Sequence, residues 1–186
     1  MPGSDDRMQR RNTQMRKLNI LLSGSVFVLM LGLAPLATLA HGQERGTAKA
    51  TIGSASVSLD YGRPLLKGRD MLKQMPAGGV WRIGANDPTT ITSDADLDFG
   101  GTRVPKGKHI LLARLAEPSK WSLVVSSKGA FQYEPSARIA EVPMEVQEAK
   151  DSVETLTVNL TSKGGKGVIE IAWGTSRLSA SFSVAK

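Results

Sequence analysis

The chain has 186 residues, no cysteine, two histidines and a formal charge of +7. That length suits one domain, or one plus a tail, and the lack of cysteine excludes disulfide staples and thiol nucleophiles. Five of the 24 basic and two of the 17 acidic residues fall in the first 40; what remains is mildly basic with mixed charges, which excludes a dedicated nucleic-acid binder, because such a protein needs a clustered basic stripe.

The chain starts with a basic region that ends at Lys17, followed by an apolar run from Leu18 to Ala40. The run closes in small residues, with Thr38 and Ala40 placed at −3 and −1 of a cut before His41. Residues 1–40 therefore read as a signal peptide with a helical apolar part. At about 20 residues the run is also long enough to stay as an uncleaved membrane anchor. Arg10-Arg11 hints at a twin-arginine signal but lacks apolar residues just after the pair, and no cysteine follows the run to carry a lipid. The expectation is a periplasmic or secreted domain that touches membrane only through this segment, if it is uncut.

Residues 41–49 read as a flexible polar tail, and 50–186 as one domain. Period-2 alternation then dominates. Ala55, Val57, Leu59 and Tyr61 alternate with Ser54, Ser56, Ser58 and Asp60. Similar runs cover Thr89–Asp94, Leu97–Gly101, Glu141–Gln147, Thr155–Leu160 and Leu178–Val184. Each predicts a strand with one buried and one wet face. His109–Leu115 is apolar on both faces and suits a central strand, and Trp121–Ser127 and Gly167–Trp173 complete about nine strands. Glycine-bearing turns at 99–107 and 162–167 separate neighbours. Many short strands with Gly/Pro turns predict an all-β antiparallel sandwich, jelly-roll-like or Ig-like.

Residues 62–88 break the pattern. The segment carries Arg63, Arg69 and Arg82 among glycines and prolines, yet also Met71, Leu72, Met75, Val80, Trp81 and Ile83. A long irregular stretch with that many apolar side chains predicts an ordered cap. Gly68–Met75 could add a helical turn or two. Half-buried guanidiniums need carboxylates or carbonyls around them, and Asp60, Asp70 and Asp87 are near in sequence.

Three motifs here carry a resemblance. "YGRP" (61–64), "KGR" (67–69) and "WRIGAN" (81–86), followed by Thr89-Thr90, resemble the signature of the bacterial domain of unknown function 2911 family. "GGTRVPKGKHILL" (100–112) and "WSLVVSSKG" (121–129) are similar to its next blocks, so the likeness spans Thr47 to Lys128 and weakens beyond. The resemblance implies export and a mostly-β domain, and it implies no catalytic residues. Two positions depart from the pattern: His109 stands where an aromatic is expected, which would alter a pocket lining, and Asp87 stands for glutamate.

Two readings of the cap follow. In one, Arg63, Arg69, Trp81, Arg82, Asn86 and Thr89 surround a cleft for a small anionic or carbohydrate ligand, since a planar guanidinium fork recognises carboxylate or phosphate bidentately. In the other, the arginines tie the cap to the sheet and Trp81 is core. Other constellations are weaker. His41 as a free N-terminus with His109 would echo a copper brace, but His109 sits in a core-like strand. Asp94, Asp96 and Asp98 share one strand face and could hold a cation, or form a solvated acidic edge. Ser126–Gly129 reads as a turn, and neither histidine lies in a serine-hydrolase elbow. The sequence thus points to an exported non-catalytic binding or structural module without cofactor or metal. The alternative is an envelope hydrolase of carbohydrate or ester substrates, using Asp60, Asp70 or Asp87 as acid/base.

Overall fold

A computed structural model describes residues 44–129 and 132–186. The signal segment and His41 lie outside the described residues. Among the described residues there are eleven strands and no α-helix. One sheet orders β1 (Arg45–Ile52), β2 (Ala55–Gly62), β4 (Thr90–Ser93), β7 (Gly107–Glu117), β8 (Lys120–Ser126) and β9 (Arg138–Pro143). β3 (Val80–Trp81) joins β7 further along the edge that β4 occupies. The second sheet orders β10 (Glu145–Lys163), β11 (Lys166–Val184), β5 (Leu97–Phe99) and β6 (Thr102–Val104). Every pairing is antiparallel. The result is an all-β, two-sheet sandwich.

Alternation builds the core. Ala55, Val57, Leu59 and Tyr61 of β2 are buried, while Ser56 is exposed. Facing residues of the second sheet, Leu156, Ile169, Ile171 and Leu178, are at most 1 % exposed. Each such side chain contributes about 1.5–3 kcal/mol by leaving water. Phe99 stacks on Phe182 between adjacent strands of the second sheet, with centroids 5.0 Å apart. β7 is central, as its two-faced apolarity predicts, with β8 on one side and β4 and β3 on the other.

The strand count departs from nine for local reasons. Residues 45–49, expected as a loose tail, begin β1, which pairs with β2 from Arg45↔Gly62 to Ile52↔Ala55. Its inward residues include only Ala48 and Ala50 before Ile52, so the apolar alternation is faint. Glu141–Gln147 splits at Met144 into the end of β9 and the start of β10. Gly167–Trp173 and Leu178–Val184 fuse into one 19-residue β11 through Gly174, whose φ of 60° lets the strand kink without breaking. Gly68–Met75 forms turns rather than helix.

The 62–88 segment is ordered and fastened at both ends. Near its start, Leu66 N–H donates to Glu154 O and Leu156 N–H to Pro64 O, both at 2.9 Å. Near β3, Gly78 N–H donates to Leu115 O (2.7 Å) and Leu115 N–H to Gly79 O (2.9 Å). Leu66, Leu72 and Ile83 are buried beneath it. The cap therefore ties β10 to β7 across one end of the sandwich.

Candidate functional site

The cap has two halves, and each walls a hollow. The second half, residues 82–89, turns through three left-handed positions: Ile83 (φ 49°), Gly84 (φ 132°) and Asn86 (φ 61°). For a β-branched residue this conformation is strained, at a cost of about 1–3 kcal/mol. Complete burial of Ile83 and a hydrogen bond from the Thr89 hydroxyl to the Ile83 carbonyl hold it there. Leu111 N–H then donates to Thr89 O at 2.9 Å, which locks the turn to β7.

That turn delivers Asp87 and Pro88 to a cleft of about 500 Å³, also lined by Arg45, Asp60, Lys108 and His109. Arg45 is its organising group. Its Nε donates to Asp60 Oδ1 at 2.9 Å, Nη2 contacts the same oxygen, and Nη2 also donates to Pro88 O at 3.3 Å. Asp87 Oδ2 lies 3.9 Å from Nη1, and that Nη1 is buried with no hydrogen-bond partner. His109 Nε2 lies 2.7 Å from Pro105 O. A carbonyl only accepts, so Nε2 carries a proton. Nδ1 is likewise buried without a partner. The cleft therefore combines a half-satisfied guanidinium, an ammonium, two carboxylates and an imidazole.

The first half of the cap walls a different hollow, of about 370 Å³, at the mouth between the sheets. Leu115 and Trp121 come from one sheet, Val146 and Leu178 from the other, and Leu72 and Met75 from the cap. At its rim Lys73 Nζ donates to Glu148 Oε1 at 2.6 Å and lies 3.7 Å from Asp70. The bonds from Lys73 and the Thr175 hydroxyl hold the Glu148 carboxyl below its ordinary range, and the same carboxylate raises Lys73. Both remain charged at neutral pH.

The six cap residues expected around one cleft are distributed among different tasks. Trp81 stacks on Trp173 of the opposite sheet, centroids 5.7 Å apart and planes 7° from parallel. Thr89 is 1 % exposed and clamps Ile83. Asn86 is an exposed turn residue. Arg63 pairs with Glu44 at 2.5 Å. Arg69 is exposed, and Arg82 is half-buried. None of the six lines either hollow. The expected carboxylate partners are also reassigned: Asp60 and Asp87 serve Arg45, and Asp70 accepts Lys73 N–H at 3.1 Å. Arg45 falls in a polar segment whose sequence predicts a tail; only the Arg45↔Gly62 pairing brings it beside Asp60.

Of the three aspartates only Asp98 lies on β5 (Leu97–Phe99), Asp94 and Asp96 preceding it, and all three bind groups of the protein itself. Asp94 accepts Ser56 N–H (2.8 Å), Asp98 accepts Gly101 N–H (2.9 Å), and Asp96 accepts Lys106 N–H (2.7 Å) and Arg103 Nε (2.7 Å). Those bonds hold Asp96 below the usual carboxylate range. Among the described residues no group of three or more His, Asp or Glu side chains is arranged to hold a metal.

No curated protein and no solved structure matches the chain. A family match reaches beyond the motifs that first carried the likeness. Over residues 43–182 the chain fits the model of the family described as protein of unknown function DUF2911, and it belongs to that family.

Proposed function

We propose that this domain is an exported, non-catalytic binding module whose ligand is polyhydroxylated, of carbohydrate type, and occupies the Arg45 cleft. The observation that carries the reading is the buried Nη1 of Arg45, which has no hydrogen-bond partner and only a long contact with Asp87 (3.9 Å) while the rest of the guanidinium is held in place. A preset donor beside two carboxylates suits hydroxyl groups, which donate and accept at once. Arg45 and Lys108 are balanced by Asp60 and Asp87, so the cleft has no net positive charge to draw a free anion, and a neutral sugar needs none. The reading keeps the cap as one wall, through Asp87 and Pro88, and takes Arg45 rather than Arg63, Arg69 or Arg82 as the cation. Export rests on the signal-like first 40 residues.

What Asp60 is engaged in supports the non-catalytic reading. Asp60 Oδ1 is committed to the Arg45 guanidinium, which takes up the oxygen that proton transfer to a substrate would need. One observation favours hydrolysis instead: Asp60 and Asp87 share the cleft, as paired carboxylates of glycoside chemistry would.

Saturation-transfer NMR of the purified protein with a panel of neutral mono- and oligosaccharides tests the proposal. Binding should appear for some members and weaken by about tenfold or more in Arg45→Lys, which loses the planar fork. Sugar signals indifferent to that substitution, or absent throughout, would remove the proposal. Turnover of aryl glycosides that disappears in Asp60→Asn would establish the hydrolase.

A further inference from the structure

We infer that the mouth between the sheets is a second, separate binding site, for a small molecule with an apolar or aromatic body and a basic amine. The inference does not depend on the Arg45 cleft, which other residues build.

Shape and size come first. At about 370 Å³ the hollow falls in the small-molecule range of roughly 300–1,000 Å³. Three walls of independent origin close it: the inner faces of the two sheets and the cap. Its floor is apolar, with Leu115, Trp121 and Leu178 each no more than 7 % exposed. Val146 stands at the opening and is 44 % exposed, although its β-ladder partner Leu178 is 1 % exposed. Leu65 and Met71, the other large apolar side chains exposed among the described residues, belong to the same cap. Those two lie outside the hollow, so Val146 is the exposed apolar side chain that a ligand seated there would cover.

The rim selects the sign of the head group. Lys73 is engaged by Glu148 and flanked by Asp70, so the triad of charges nets −1. Arg177, the nearest further cation on β11, turns its guanidinium to the carbonyls of Gly174, Ser176 and Asp151. A ligand ammonium can share Glu148 with Lys73, whereas a ligand carboxylate would have to displace a carboxylate already in place.

The test titrates the purified protein with phenethylamine and, separately, with 3-phenylpropionate, followed by ligand-observed NMR and tryptophan fluorescence. Phenethylamine should bind about tenfold or more tightly than the carboxylate. Glu148→Gln should reduce that preference to near parity, and Val146→Trp, which fills the opening from an exposed position, should abolish amine binding. The Gln variant preserves shape, so it decides the matter even if Val146→Trp does not fold. Equal binding of the two probes, no amine binding at millimolar concentration, or amine binding unaffected by Glu148→Gln would each overturn the inference. Neutral sugars at the Arg45 cleft should be indifferent to both substitutions, so failure here and failure there are separate results.

Discussion

Gly62 and Ala85 meet backbone to backbone: a methyl group built on Gly62 would collide with the Ala85 carbonyl and lie 2.9 Å from its nitrogen. Gly84 returns the contact, since a methyl there would come within 2.8 Å of Gly62 O. The glycines of "YGRP" and "WRIGAN" are thus two sides of one junction. It seats the turn that carries Asp87 against the end of β2 that carries Asp60.

Gly62→Ala is expected to lower stability by about 1–3 kcal/mol, the usual cost of overpacking a tight contact. Hydrogen exchange should show residues 82–89 losing protection before the sheets do. Unaltered protection there, with unaltered unfolding in denaturant, would show that the junction does not set the turn.

Trp81 and Trp173 join the sheets by face-to-face contact. Trp81→Ala should cost about 3 kcal/mol, as large-to-small changes of aromatics do when the site cannot collapse. Trp81→Phe keeps an aromatic face and should recover much of that loss. Urea denaturation of both variants measures the difference; equal losses would mean the stacked face contributes nothing beyond bulk.

Glu141 is the most heavily bonded carboxylate on the outer face of the first sheet. Burial pushes its pKa up from 4.5, but the Ser122 hydroxyl and the guanidiniums of Arg114 and Arg138 pull it further down, so the net shift is downward. A depressed folded-state pKa means the unfolded chain binds the proton more readily. The stabilisation is therefore complete above the ordinary glutamate value and is lost as pH falls through the folded one. Glu141→Gln should flatten the stability profile below about pH 4.5, and at neutral pH it should cost about 2 kcal/mol by leaving Arg114 poorly matched. Thermal unfolding across pH, wild type against variant, isolates this carboxylate from Asp96 and Glu148, which titrate in the same direction.

Arg45→Lys separates architecture from recognition. Arg45 is 29 % exposed and Asp60 45 %, so the ion pair is screened and the substitution should shift stability by less than about 1 kcal/mol. The lysine's donors all sit on one nitrogen and cannot span Asp60, Pro88 O and the place of Nη1 as the planar fork does, so sugar binding should fall although folding persists. Differential scanning calorimetry beside the NMR titration checks both; a large loss of stability would make Arg45 an architectural residue.

Period-2 patterning determined the class of fold, because burial on one face of a sheet demands apolar residues at every second position. It located β2, β7 and β8 closely, and it marked 62–88 as a cap because disorder could not accommodate Leu72, Trp81 and Ile83. It could not find β1, whose inward residues are mainly alanine, nor see that Gly174 would carry β11 through as one strand.

Which charges meet was a matter for the tertiary structure. Nearness in sequence assigned Asp60, Asp70 and Asp87 to the cap arginines, whereas antiparallel pairing across 17 residues set Arg45 against the end of β2 and gave it the first and last of those carboxylates. Electrostatic partnership falls off with distance in space, and strand register, not chain separation, sets that distance.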